Sequence, residues 1–432
     1  MNKFIGLIVL LFSTLCWAAT SGDYDYPIKN GLVATVVGTP REFVAELPKE
    51  DDINRKERDI VVFPDREVPE FIPVKKLKYS LVTQKEAAPL IFVIAGTGAS
   101  FRSPKMKMME KAFYQGGFHV VSLSSPTYAN FILSASTTQV PGHIVEDSAD
   151  LYHVMDLIHQ QIQGKVEITE FHVTGYSLGA SQAAFVAKLD EERKVFNFKK
   201  VLMINPPVSL YTSVSILDKM LEDHIPGGLE NINQFHDETM EKVAEFYTTT
   251  ERLNFTNDFL YRMLKDRHEK GELTKDNVTE ELSPLIGMSF RIASSNMIFV
   301  SDIATNGGYI LPKNHILGKR ESTTNYGKVA FRVSFTDYFN ERFYPFFKER
   351  QPDATRESVI ESLSLTSIAD YLSTSDKITV IHNENDIILA PGEIDFFRET
   401  FQSRAHIYPT GGHCGNMSYK DNVDYMVNYF KN

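Results

Sequence analysis

Short unbroken apolar runs recur along this chain at residues 90–95, 119–123, 171–174, 201–204, 378–381 and 405–408. A strand with one wet face alternates apolar and polar side chains, whereas a run without alternation must be covered on both sides. Runs this short are also below the usual length of a helix. The feature therefore demands parallel strands with helices packed over both faces of one sheet.

Helical patterns lie between the runs. Leu151, Val154, Met155, Ile158 and Ile162 form one apolar stripe, Ala180, Ala183, Ala184 and Ala187 a second, and Val423, Met426, Val427 and Phe430 a third. Strands alternating with helices predict an α/β architecture, a doubly wound, mostly parallel sheet with right-handed crossovers. The alternation stops between residues 204 and 378, where the periodicity is mainly helical, with candidate helices at 212–222, 237–248, 257–269, 278–302, 328–347 and 356–373. This stretch predicts an inserted helical domain at 206–373, dividing a core of 20–205 and 374–432. An aromatic stripe in it, Phe335, Tyr338, Phe339, Phe343 and Phe347, reads as the insertion's own core or as an apolar wall over a site. Residues 40–73, charged and punctuated by proline, read as a peripheral strand-and-loop region.

The first residues, Met1-Asn2-Lys3, then the apolar run 4–12 and the small residues before Thr20, read as a signal peptide over 1–19. That apolar run is shorter than the roughly 20 residues that span a bilayer, so no stable membrane span is expected after cleavage. Of the two cysteines only Cys414 then remains, which excludes an internal disulfide and leaves stability to the 43% hydrophobic content. The formal charge of −11 grows more negative when Lys3 leaves, disfavouring nucleic acid or an anionic membrane as partner. No His-Glu-x-x-His or paired-cysteine spacing points to a metal.

Gly175-Tyr176-Ser177-Leu178-Gly179 joins the 171–174 run to the alanine stripe. A serine hydroxyl becomes an effective nucleophile when it projects from a sharp strand-to-helix turn, and that turn needs small residues where strand and helix nearly touch. Ser177 is thus the candidate nucleophile, and its partners belong on loops at strand C-terminal ends. After the 378–381 run, His382-Asn383-Glu384-Asn385-Asp386 offers an acid, with Asp386 preferred over Glu384 and Asp376. After the 405–408 run, Gly411-Gly412-His413 offers His413 as the base. The thiol of Cys414, next in sequence to His413, is expected to point elsewhere and pack in the interior.

The elbow, the Asp386 loop and Gly411-Gly412-His413, in that order, resemble the α/β-hydrolase superfamily over residues 68–206 and 375–432. The resemblance implies the α/β-hydrolase type of doubly wound sheet, with the helical insertion standing where many members carry a lid. It also implies an oxyanion hole formed by the Leu178 amide and one in the loop Ile94-Ala95-Gly96-Thr97-Gly98. Thr97 is the preferred second donor, with Gly96 and Gly98 as alternates. Many members carry His-Gly at this point, whereas this chain has Ala95-Gly96. The same loop is close to a dinucleotide fingerprint, but Phe101 stands in the third glycine position and no acid follows at the required distance, so no cofactor is expected.

Asn254, Asn277 and Asn416 each begin a glycan acceptor pattern, and a sugar at Asn416 would crowd His413, so the matches read as chance. The expected function is an exported, periplasmic or secreted serine hydrolase that cleaves a carboxylic ester, its substrate a small-molecule or lipid-like ester. A lidded peptidase or amidase, and an inactive hydrolase-fold binding protein, are the alternatives.

Overall fold

The computed structural model describes residues 24–238, 241, 270–271 and 278–432. The expected signal peptide, most of the candidate helices at 237–248 and 257–269, and Asn254 and Asn277 lie outside the described residues.

The apolar runs form strands of one 8-stranded sheet. In chain order these are β1 (Arg55–Ile60), β2 (Leu77–Val82), β3 (Ala88–Ile94), β4 (His119–Leu123), β5 (Ile168–Tyr176), β6 (Lys200–Ile204), β7 (Ile378–Asn383) and β8 (Ala405–Tyr408). Their spatial order is β1-β2-β4-β3-β5-β6-β7-β8. β2 pairs antiparallel with both β1 and β4, and every other pairing is parallel. The sheet is thus the doubly wound, mostly parallel one expected. β1 was not resolved from its surrounding loop in the sequence and β2 was not expected at all. β1 reads Arg-Lys-Glu-Arg-Asp-Ile with its central residues exposed, so it shows no apolar run. A charged edge of this kind also discourages pairing with another chain's strand.

Helices follow the strands: α1 (Gly31–Val37) before the sheet, then α2 (Pro104–Gln115), α3 (Ala129–Ser134), α4 (Ile144–Ile162), α5 (Leu178–Arg193), α6 (Leu210–Glu222) and α7 (Val278–Thr305). The β3 side chains show why the run is unbroken. Leu90, Phe92 and Ile94 point into one apolar cluster with the stripes of α4 and α5, while Ile91 and Val93 point into another with Met106, Met109 and Phe113 of α2 and with Met426 and Phe430 of the helix Lys420–Lys431. Each such side chain, fully buried, contributes about 1.5–3 kcal/mol.

Between β6 and β7 two expected helices are broken. The 328–347 span is interrupted at Ser334, whose Oγ accepts the Asp337 amide while the Asp337 carboxylate accepts the Ser334 amide, so a new helix starts there. A π-helical turn at Phe339–Phe343 follows. The 356–373 span leaves its helix at Leu363 because Ser364 pairs with Ser209 across a short bridge. Tyr338, Phe339, Phe343 and Phe347 are buried in the same cluster as the sheet, and the Tyr338 hydroxyl donates to the Pro141 carbonyl (3.0 Å). The aromatic stripe therefore packs on the loop entering α4 as well as on its own helices. Among the described residues no helix is long and apolar enough to cross a membrane.

α6 and α7 are joined by a buried ion network. Arg291 on α7, 0% exposed, donates to Asp218 (3.1 Å) and Glu222 (2.8 Å) on α6. Asp218 in turn accepts the amides of Phe335 (3.3 Å) and Thr336 (3.0 Å). Removing one partner of a buried pair strands the other charge, which typically costs about 3–5 kcal/mol, whereas an apolar replacement of both is tolerated far better. Arg291→Ala is expected to lower the unfolding free energy measured by urea titration by that order, and Arg291→Met combined with Asp218→Leu to recover part of the loss.

Candidate active site

The strand order creates the site. From β3 the chain crosses to β4 on one side and then back over β3 to β5 on the other, so β3 and β5 are neighbours whose connections diverge. A crevice opens beyond the C-terminal ends of such a pair. The loop after β3 and the turn after β5 both end there.

The turn after β5 is as tight as the glycines suggest. A Cβ on Gly175 would overlap the Gly179 carbonyl and lie 2.9 Å from the Ile94 oxygen, and one on Gly179 would overlap the Ile94 carbonyl and lie 2.7 Å from the Ala95 oxygen. Between them Ser177 has φ 55° and ψ −128°, a conformation that favours glycine and costs on the order of 1–3 kcal/mol. It is held there by the Ser177 amide, which donates to the Ile204 carbonyl (2.9 Å). The serine caps α5 without using its hydroxyl on the helix, so Oγ projects into the crevice.

His413 reaches the same place from the loop after β8. Its Nε2 lies 2.9 Å from Ser177 Oγ, and its Nδ1 lies 3.1 and 3.0 Å from the two carboxylate oxygens of Asp386. Asp386 also accepts the Asn205 amide nitrogen (2.9 Å) and the Ile388 backbone amide (3.1 Å). Its side chain is fully buried, while His413 keeps 18% exposure. The competing acids are elsewhere. Glu384 is exposed and pairs with Arg398, and Asp376 is exposed before the opposite end of β7.

Burial alone would raise the Asp386 pKa, but the charge and hydrogen bond of His413, with His382 and the Ile388 amide, outweigh it and hold the carboxyl below its ordinary range. For His413 burial works against the charged ring, yet Asp386 prevails and moves it well above its ordinary value. His382, buried behind Asp386 with Nδ1 at 3.7 Å, is pushed down by burial. The pair thus has a preferred place for a proton, on His413.

In the loop after β3 the donors sort themselves. The Gly98 amide is committed to Thr127 Oγ1 (2.8 Å), which removes one expected alternate. The Gly96 backbone faces the Tyr176 ring, where a Cβ would lie 2.8 Å from Cε2, and its amide is among the groups that act on the Tyr176 hydroxyl. Among the described residues the Thr97 and Leu178 amides have no acceptor; Thr97 follows β3 and Leu178 is the first residue of α5. Gly98 has φ 66°, and a Cβ on it would lie 2.8 Å from Ala293 of α7, so that helix closes over the loop.

Asn205, Thr127 and Thr35 were missed in the sequence. Asn205 stands at the end of β6 with φ 48°, a backbone asparagine tolerates, just before two prolines; a polar residue at a strand end in that setting is the available signal. Cys414 departs from expectation in direction. It is buried, but its backbone has φ 59° and its Sγ lies 3.9 Å from His413 Nε2 instead of pointing away. Asn416 is 0% exposed and its amide donates to Tyr24 and Asn383, so in the folded chain it offers no acceptor for a glycan. No cluster with metal-binding geometry is found among the described residues.

No family model and no curated protein matches the chain. Solved structures similar to it include the thioesterase domain of a curacin biosynthetic pathway, at 11% identity over 88% of this chain and 100% of that one, with a TM-score of 0.41. An esterase of Pyrococcus furiosus is similar at 11% identity over 91% of this chain and 98% of that one, TM-score 0.42. A proline iminopeptidase of Mycobacterium smegmatis is similar at 14% identity over 87% and 98%, TM-score 0.42. Likeness this distant adds no argument to the strand order and the site's geometry.

The Asp386–His413 pair carries a pH signature. Its stabilisation is complete between the ordinary carboxyl value of 3.8 and the ordinary imidazole value of 6.5. It is lost as pH falls through the depressed Asp386 pKa and again as pH rises through the raised His413 pKa. A base must be neutral to accept a proton, so any reaction that uses His413 is expected to gain rate with pH through a midpoint above 6.5. Asp386→Asn should move that midpoint down, which a pH profile of kcat/KM measures.

Proposed function

We propose that this chain, whose sheet is of the α/β-hydrolase type, is an exported serine hydrolase that cleaves a carboxylic ester through a Ser177-His413-Asp386 acyl-enzyme mechanism. The observation that carries the reading is the imidazole of His413, with Ser177 Oγ 2.9 Å from one nitrogen and the Asp386 carboxylate on the other.

In the reaction, Ser177 Oγ attacks the ester carbonyl carbon and gives its proton to His413 Nε2. The carbonyl oxygen becomes an oxyanion that the Leu178 and Thr97 amides stabilise, each such donor lowering the barrier by about 3 kcal/mol. The intermediate collapses, the C–O bond to the alcohol breaks, and His413 returns the proton to the departing oxygen. Water, deprotonated by His413, then attacks the acyl-serine, and the carboxylic acid leaves with Ser177 restored. Asp386 holds the imidazole by Nδ1 so that Nε2 faces the serine, and it stabilises the imidazolium without taking the proton itself.

The helices between β6 and β7 act as the lid. Ala293 of α7, against Gly98 in the loop after β3, supports an apolar contact beside the site. An apolar contact there suits a small-molecule or lipid-like ester. A serine peptidase or amidase remains the second reading, since the same three residues cleave amides.

A fluorophosphonate probe should label the intact protein, and Ser177→Ala should abolish labelling and reduce hydrolysis of p-nitrophenyl esters by at least roughly a thousandfold. An unlabelled folded protein would overturn the enzyme reading in favour of a binding protein. Asp386→Asn should lose on the order of 10⁴ in kcat, with Glu384→Gln near wild type; the reverse order would reassign the acid. Amide turnover exceeding ester turnover would favour the peptidase. Export is read separately, by intact mass of the protein recovered outside the cytoplasm, which should begin at Thr20.

A further inference from the structure

We propose that residues 24–39 form a strap that positions His413, with Thr35 as its positioning residue. The proposal rests on the reading of His413 as the base, and it concerns a segment that the reading leaves without a role.

The loop carrying His413 hydrogen-bonds repeatedly to this distant segment. Thr35, on α1, accepts the His413 backbone amide at its Oγ1 (2.8 Å) and donates the same hydroxyl's proton to the Gly31 carbonyl (2.7 Å). The hydroxyl is thereby fixed in direction, and the backbone of the base is fixed by it. On either side the contacts continue. Tyr26 shares its hydroxyl proton between Gly38 (3.1 Å) and Gly415 (3.2 Å), and Thr39 donates to Gly415 (3.1 Å). Tyr24 donates to Thr410 (3.1 Å) and accepts from the buried Asn416 (2.7 Å).

The fit excludes looser arrangements. Gly412 has φ 58°, and a Cβ there would overlap the Gly31 carbonyl and lie 2.5 Å from Thr35 Oγ1; one on Gly415 would overlap the Ala34 carbonyl. The acid's loop is tied to the same strap, because Asn385 donates to the Lys29 carbonyl (2.9 Å) while its Oδ1 accepts the amides of Gly411 (3.0 Å) and Gly412 (2.9 Å). The strap therefore sets the relative position of the loops holding Asp386 and His413. Its other face packs Val33, Ala34 and Val37 in one cluster with Leu282 and Ile286 of α7, the helix that closes over the oxyanion loop.

A base is effective only within hydrogen-bond reach of the proton it takes, and a displacement of about 1 Å can cost on the order of a hundredfold. A strap that merely stabilised the fold would change unfolding and leave turnover per folded molecule alone. A strap that positions His413 changes kcat and the base's ionisation, with little effect on substrate binding.

The test is Thr35→Val in the full chain, which keeps the shape and removes the hydroxyl. The expected result is a kcat lowered by about tenfold or more with KM within about twofold, a His413 midpoint moved down toward its ordinary value, and recovery of most of the loss in Thr35→Ser. A folded Thr35→Val with wild-type kcat and midpoint overturns the proposal. If Thr35→Val fails to fold, Tyr26→Phe carries the test, and a folded variant with unchanged kcat and His413 titration overturns the strap. If the wild-type protein itself neither labels nor turns over, the hydrolase reading has failed. The strap is then decided by the His413 imidazole resonances in NMR: a titration shifted in Thr35→Val supports it, and one identical to wild type sinks it.

Discussion

The molecule depends on one close approach. At the C-terminal ends of β3 and β5 the start of α5 lies so near the sheet that neither Gly175 nor Gly179 can carry a Cβ without overlapping backbone carbonyls. That proximity forces the left-handed backbone at Ser177, and with it the projection of Oγ away from the helix and into the crevice. The alanines along α5 serve the same end, since Ala180, Ala183, Ala184 and Ala187 are all 0% exposed and let the helix stay down on the sheet. Nearby groups have adapted to the approach, including the Tyr176 ring under Gly96 and the Thr127 hydroxyl that takes up the Gly98 amide.

Electrostatics then complete what packing begins. A wholly buried carboxylate is unfavourable by itself, and Asp386 is tolerated because Asn205, Ile388 and His413 surround it with donors. The same contacts orient the imidazole from behind. Packing supplies the position of Ser177, and compensation of a buried charge supplies the position of its partner.

The strands covered on both faces were legible because such strands abandon alternation, as Leu90 to Ile94 do by sending successive side chains into two clusters. β1 was hidden in a charged loop region for the opposite reason, since an exposed edge strand of Arg, Lys, Glu and Asp has no apolar signature and is held by its ladder to β2. The helix expected at 356–373 breaks where Ser364 pairs with Ser209, far off in sequence, and the one at 328–347 where Ser334 and Asp337 cap a new first turn whose Phe335 and Thr336 amides reach the distant Asp218. Local periodicity contains no trace of such partners. The same holds in the site. Ser177, His413 and Asp386 belong to motifs at strand ends and could be read there, whereas Thr35 meets His413 across 378 positions of chain and could not.

The order of the strands in the chain bears on when such a site can exist. β8 and the loop that follows it come after every other strand, and the His413 they carry is anchored to residues 24–39, which are made long before. During synthesis Ser177, the loop after β3 and α7 all emerge while His413 is still absent. On the proposal of an exported hydrolase, a chain threaded out of a cell before β8 has docked would travel with the site around Ser177 still unassembled.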